Sequence, residues 1–352
     1  MLYGMNNPHG GDVYGAEIAL DFSSNVNPLG TPPSVVKAIC DAACLVRQYP
    51  DPYCRGLTAA ISAYEGLPES YILCGNGAAE LIYCYCQALQ ANHAAELAPT
   101  FSEYSAASEH FGAAVSRYAL REEDYFSVDD GLLPFLQAQK PDVLFLCTPN
   151  NPTGRTIPRA LFEDVLALCA RQGTRVLLDE CFLDFTDAKS AKNLLAQYPN
   201  LLILKAFTKN YALAGVRVGY CLTADRALLT KMAACAQPWN VSILAQSAGT
   251  ASLLETDWVQ KAKALVSTER AFLAENLSSL GFFVCPSEAN YLLFRAPAGL
   301  DARLLREKIA IRNCGNYAGL YPGWFRIAVK LHTENEQLLA AMRRAMEDPT
   351  WH

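Results

Sequence analysis

In the middle of the chain, short apolar runs alternate with longer amphipathic ones. Residues 143–147, 176–178, 201–204 and 218–222 are compact runs rich in branched side chains, and segments such as 159–171 between them carry helical periodicity. This alternation predicts an α/β domain built on a mostly parallel sheet. The pattern changes after Pro238-Trp239-Asn240. It is helical to about Leu280, strand-like at 291–294 and 325–329, and helical again over 334–346, which predicts a smaller α+β C-terminal domain. The first thirty residues, rich in Gly, Asn and Pro, read as an arm lying over the cleft or over a neighbouring subunit. The expected organisation is an arm over 1–30, a large domain over 31–240 and a small domain over 241–352 that packs with the arm. No internal repeat or low-complexity segment interrupts this layout.

Composition narrows the function classes. The 352 residues are 51% hydrophobic, enough for a large core, and the net charge of -6 argues against a binder of nucleic-acid backbones. The 13 cysteines are scattered and form no Cys-x-x-Cys pair, and the 5 histidines do not cluster with them. Reduced thiols in a cytoplasm are therefore expected, with no metal site. The N-terminus has neither the basic nor the apolar region of a signal peptide. The longest apolar stretch, residues 81–97, is broken by Gln87, Gln90, Asn92, His93 and Glu96, so no membrane span is expected.

Three motifs fall just beyond predicted strands, where open α/β sheets bind their ligands. Asn151-Pro152-Thr153-Gly154 follows one strand, Asp179 ends another, and Thr208-Lys209 follows a third. A lysine can form a Schiff base with an aldehyde cofactor, a carboxylate can keep a pyridine nitrogen protonated, and an amide can hold a phenolic oxygen. Lys209, Asp179 and Asn151 supply those groups and together specify a pyridoxal-phosphate site. Gly75-Asn76-Gly77 follows a strand-like run at 71–74 and opens a helix, so its amides and the helix dipole can hold a phosphate.

In order and spacing these motifs resemble the fold type I aminotransferase superfamily. The resemblance implies that Asn76, Gly77, Thr208 and Arg217 cup the cofactor phosphate, and that Phe101 stacks on its ring. Tyr49 would reach across a homodimer to the partner's cofactor, and Arg326 would grip the substrate carboxylate. For Phe101 a core role stays open, and for Arg326 a structural salt bridge. Two positions depart from the superfamily: Ala206 stands where relatives carry Ser or Thr, and Phe182 where many carry Tyr.

Over nearly its whole length the chain further resembles the threonine-phosphate decarboxylases of cobalamin biosynthesis. The resemblance is carried by His9-Gly10-Gly11, by Asp21 to Gly30, by Gln48-Tyr49-Pro50-Asp51 and by Ile311-Arg312-Asn313-Cys314-Gly315-Asn316-Tyr317. It implies decarboxylation of L-threonine O-3-phosphate to (R)-1-amino-2-propanol O-2-phosphate, with His9, Asn25 and Arg312 as candidates for the substrate phosphate. Arg326 could then turn to that phosphate instead of the carboxylate. Histidinol-phosphate aminotransferases share the cofactor motifs and remain an alternative, as do an aromatic aminotransferase, a phosphoserine decarboxylase and a noncatalytic protein that keeps the fold.

Overall fold

The computed structural model describes residues 9–347, so the first eight residues of the predicted arm lie outside the described residues. Thirteen strands occur among them. In chain order they are Leu20–Asp21 (β1), Ile72–Gly75 (β2), His93–Ala98 (β3), Ala114–Ala119 (β4), Val143–Cys147 (β5), Arg175–Asp179 (β6) and Leu201–Ala206 (β7). Gly219–Leu222 (β8), Phe283–Val284 (β9), Tyr291–Arg295 (β10), Ile309–Ala310 (β11), Arg312–Asn313 (β12) and Trp324–Ala328 (β13) complete the set.

Seven strands form the central sheet in the order β2-β8-β7-β6-β5-β3-β4. The pairs among β7, β6, β5, β3 and β4 are parallel, whereas β8 runs antiparallel to both β7 and β2. Every residue of β5 and β7 is buried, because helices cover both faces. Leu202 and Leu204 enter one core, and Leu201 and Ile203 the other. This alternation also sorts the chemistry. Asp179 at the end of β6 shares its face with Leu177, and Glu180 shares the opposite face with Leu178.

The helical stretch after residue 240 is two helices, Ile243–Ser252 and Thr256–Ser279, separated at Leu253–Glu255. The second leads into an antiparallel sheet of order β12-β13-β10-β9, closed by the helix His332–Glu347. The arm is tied to this part of the chain: β1 pairs in parallel with β11, and the Ala328 N–H donates to the Phe22 carbonyl at 2.8 Å. Residues 23–27, which follow β1, therefore lie between the two sheets. Asn27 fixes them to the large sheet, its N–H donating to the Lys209 carbonyl at 2.9 Å and its Nδ2 to the Asn210 carbonyl at 2.7 Å. No helix is long and apolar enough to cross a membrane among the described residues.

Candidate active site

Where β5, β6 and β7 end, the chain leaves a cavity of about 190 Å³ lined by Phe101, Tyr104, Asn151, Asp179, Thr208, Lys209 and Arg217. It continues into a second space of about 310 Å³ bounded by His9, Asn25, Arg312 and Arg326. Ten of the thirteen site residues expected from sequence thus face one connected volume. Asn76 and Gly77 stand at its edge, and Tyr49 lies elsewhere.

The cavity floor is carboxylate and amine. Asp179 is 5% exposed, and both its oxygens are engaged: Oδ1 accepts the Cys181 N–H at 2.9 Å and Oδ2 accepts the Tyr104 hydroxyl at 2.7 Å. Lys209 sits on the short helix Phe207–Asn210, with Nζ 5.2 Å from the centre of the Phe182 ring. Among the described residues no carboxylate lies within ion-pair distance of this amine. Burial, helped by the neighbouring Arg326 cation, lowers its pKa to about 8. A buried amine that becomes largely neutral above about pH 8, well below the range of a free lysine, is suited to attack an aldehyde.

The phosphate end is built from backbone. Gly77 caps the helix Ala78–Leu89 with a φ of +82°, and no side chain caps that terminus. A Cβ on Gly77 would lie 2.6 Å from the Arg217 guanidinium, so only glycine lets this cation close on the helix end. Arg217 itself holds only the Ala214 carbonyl, at 3.3 Å, and no described carboxylate pairs with it. Amides at a helix N-terminus, the Thr208 hydroxyl and an unneutralised arginine make a cup for a phosphate. Asn76 is exposed at the edge of this cup, and its backbone N–H donates to Glu80 Oε2 at 2.6 Å. Ala206 lines the cavity and brings no hydroxyl to it.

Asn151 and Arg326 act as a unit. The Asn151 Oδ1 accepts from Arg326 Nη1, which leaves the amide Nδ2 to donate into the cavity. Arg326 Nη2 donates to the Ser23 carbonyl at 3.0 Å, and its Nε has no partner. No described carboxylate pairs with Arg326, although it is only 6% exposed. Arg312 faces it directly across the β12–β13 pair, with Nη2 donating to Asn316 Oδ1 at 2.8 Å and the guanidinium 5.2 Å over the Tyr317 ring. Asn25 is 2% exposed and its Oδ1 has no hydrogen-bond partner, a buried polar atom awaiting a ligand.

The arm closes the outer wall. His9 Nε2 lies 2.7 Å from Glu103 Oε1, and its ring is 5.7 Å from that of Phe101. Gly10 packs so tightly that a Cβ there would lie 2.5 Å from the Ser23 carbonyl oxygen. Tyr49 is 78% exposed on the outside of the chain, its ring 4.7 Å from Trp239, and it takes no part in this chain's own cavity. Sequence reasoning missed Tyr104 and Glu103, the residues that hold Asp179 and His9. Their place directly after Phe101, at the start of the helix Glu103–His110, was the available signal.

A larger cleft of about 730 Å³ lies across the sheet, lined by Thr148, Ile157, Phe162 and Leu183. Its one buried carboxylate, Glu180, is already engaged by the Ala191 N–H at 2.8 Å and by Lys205 Nζ at 3.3 Å. The smaller cavity therefore carries the chemistry. Among the described residues no group of His, Cys, Asp and Glu could hold a metal.

The family model of class I and II aminotransferases matches residues 17–344. The chain belongs to this family. Its cofactor is pyridoxal 5'-phosphate, and the residues present fit that group: an unpaired amine, a carboxylate facing it across the floor and an anion cup at the far end. Threonine-phosphate decarboxylase from Salmonella typhimurium is 36% identical over 97% of this chain and 97% of that protein. Histidinol-phosphate aminotransferase from Anaeromyxobacter sp. is 34% identical over 95% of this chain and 92% of that protein. Among solved structures, histidinol-phosphate aminotransferase from Clostridium acetobutylicum superposes with a TM-score of 0.87 at 30% identity, covering 94% of this chain and 99% of that one. The chain is thus a pyridoxal-phosphate-dependent enzyme of the aminotransferase fold.

Proposed function

We propose that the protein decarboxylates L-threonine O-3-phosphate to (R)-1-amino-2-propanol O-2-phosphate, a step of cobalamin biosynthesis. The observation that carries this reading is the pairing of Arg312 and Arg326 across β12 and β13, beside the unpartnered Asn25 oxygen. Two guanidinium groups on one wall of a small cavity call for a compact ligand with more than one negative charge, such as a carboxylate and a phosphate on neighbouring carbons. The identity to the Salmonella decarboxylase over almost the full chain supports the same substrate class. Phe182 adds to it, because it brings no hydroxyl to the place where many aminotransferases carry Tyr.

Bound pyridoxal phosphate supplies an aldehyde for the substrate amine and an electron sink for the pair left when the bond to the carboxylate breaks. The chain supplies the rest. Asp179 would keep the ring nitrogen protonated, and Asn151 Nδ2 would donate to the phenolic oxygen. Lys209 would hold the cofactor aldehyde until the substrate amine takes its place, and its Nζ would supply the proton that the α-carbon takes up. Arg312, His9 and Asn25 hold the substrate phosphate. Arg326 would hold the same phosphate, which leaves the carboxylate without a guanidinium grip that would oppose its loss. The His9 arm and Phe101 cover the reacting carbon from water.

The active unit in this proposal is a homodimer. Val46, Tyr49 and Tyr53 are 63%, 78% and 70% exposed along one short segment, a surface that a partner subunit would cover. Tyr49 then reaches the partner's cofactor phosphate.

The deciding experiment measures carbon dioxide released from L-threonine O-3-phosphate by the purified protein with pyridoxal phosphate and no keto acid. Sustained release is expected, with phosphoserine slower by the worth of one methyl, roughly ten- to a hundredfold. No release, together with amino transfer from histidinol phosphate to 2-oxoglutarate, would sink the decarboxylase reading and establish the aminotransferase.

A further inference from the structure

Tyr104 is absent from the sequence reading, yet it is the largest polar side chain touching the catalytic floor. It is fully buried, and its ring is locked in place: stacked on Phe145 at 5.4 Å and 10° between planes, and edge-on to Phe101 at 5.6 Å. Its hydroxyl donates to Asp179 Oδ2 at 2.7 Å. Burial and the Asp179 charge push the phenol pKa far up, so it stays an O–H donor across the working range of pH.

We propose that Tyr104 is a positioning residue that sets how strongly Asp179 engages the pyridine nitrogen, and thereby tunes the strength of the electron sink. The inference rests on the reading that Asp179 faces that nitrogen. With the Cys181 N–H on Oδ1 and the phenol on Oδ2, the carboxylate cannot rotate, and its remaining lone pairs point to one place. Part of its charge is spent on the phenol. A ring nitrogen held by such a tempered carboxylate keeps more positive charge, and a more positive ring withdraws electrons better from the α-carbon.

The other groups facing Asp179 leave this role to Tyr104. Cys147 at the end of β5 and Cys181 after β6 both have thiols pushed up by burial and are neutral. Tyr291 on β10 is likewise held neutral, with its hydroxyl donating to the Asn150 carbonyl at 2.9 Å. Lys209 and Arg217 are the cations lining the part of the cavity that holds Asp179, and neither donates a hydrogen bond to it in this structure. Among the described residues the phenol is the one hydroxyl or nitrogen side-chain donor on the carboxylate, and the neutral Cys181 thiol beside it is a much weaker donor.

Tyr104→Phe keeps the ring and its stacking and removes only the hydroxyl. The readout is the pH midpoint of the visible absorbance of the cofactor-loaded protein, recorded without substrate and so independent of which reaction the enzyme performs. Without the phenol, Asp179 neutralises the ring nitrogen more fully, the ring withdraws less from the Lys209 linkage, and that linkage holds its proton more tightly. The midpoint should rise by about half a pH unit or more. The kcat should fall while KM stays near the parent value, because no substrate contact is lost. A midpoint that does not move, with only a lower Tm, would show that the hydroxyl is structural and overturn the inference. If the parent protein forms no visible band with the cofactor at all, the reading of the site falls with it.

Discussion

Lys209→Ala is expected to abolish the visible absorbance that the protein develops with pyridoxal phosphate, and to lower turnover at least about 10⁴-fold. Both losses follow from one atom. Among the described residues the Lys209 Nζ is the only lysine amine lining either part of the connected cavity. Lys205, four residues earlier, points to the other face of the sheet and is held by Glu180 and Glu65 at 3.3 and 3.8 Å. It cannot substitute. The substituted protein should still fold, because removing an unpaired amine from a buried site costs no ion pair. The pH dependence of cofactor uptake by the parent apoprotein tests the same atom. Burial lowers the Lys209 pKa to about 8, so the attacking neutral amine dominates only above that value. Uptake should accelerate as pH rises through about 8 and level off beyond it. A rate still climbing near the pKa of a free lysine, about 10.4, would mean that Lys209 is not the buried, desolvated amine described here. Retained absorbance in Lys209→Ala would refute the assignment of the site altogether.

The three residues that carry this chemistry were legible in the sequence because each is tied to the end of an apolar strand. The runs at β5, β6 and β7 are buried on both faces and read as strands without tertiary knowledge, so Asn151, Asp179 and Lys209 inherit their place from them. β3 and β4 escaped. The sequence of β3, His-Ala-Ala-Glu-Leu-Ala, has weak strand preference and a glutamate in its interior, and only the fold reveals that Arg117 on β4 pairs with Glu96 at 2.8 Å. The direction of β8 escaped too, since periodicity carries no sign. Of the site residues, Tyr104 and Glu103 were missed because their partners lie 75 and 94 positions away, and only their place shortly after Phe101 hinted at them. The departures at Ala206 and Phe182 were visible as missing hydroxyls. What the fold adds is that Tyr291, the phenol packed against Phe182, is committed to Asn150 and does not replace them.

Arg326→Met separates function from structure most sharply, because the two readings of Arg326 predict opposite balances. A structural salt bridge broken at one partner would destabilise the protein by about 3–5 kcal/mol. For a chain of this size that is a drop in Tm of several degrees. The geometry argues otherwise. Arg326 has no carboxylate partner among the described residues, and the two groups it holds, the Asn151 amide and the Ser23 carbonyl, border a cavity that water can fill. Removing the guanidinium strands no opposite charge, and both acceptors can be hydrated in its place. Tm should therefore stay within about 2 °C of the parent, the effect of roughly 1 kcal/mol. Substrate recognition should suffer far more. A buried cation whose anionic partner arrives with the substrate is worth about 2–5 kcal/mol, so kcat/KM should fall by roughly 30- to several thousandfold. The split between substrates then identifies the anion it binds. If Arg326 serves the phosphate, L-threonine without its phosphate should be an equally poor substrate for parent and variant. If it serves the carboxylate, the variant should lose on both. Thermal melts and kcat/KM for the two compounds, measured on parent and variant, decide between a clasp for the substrate and a brace for the fold.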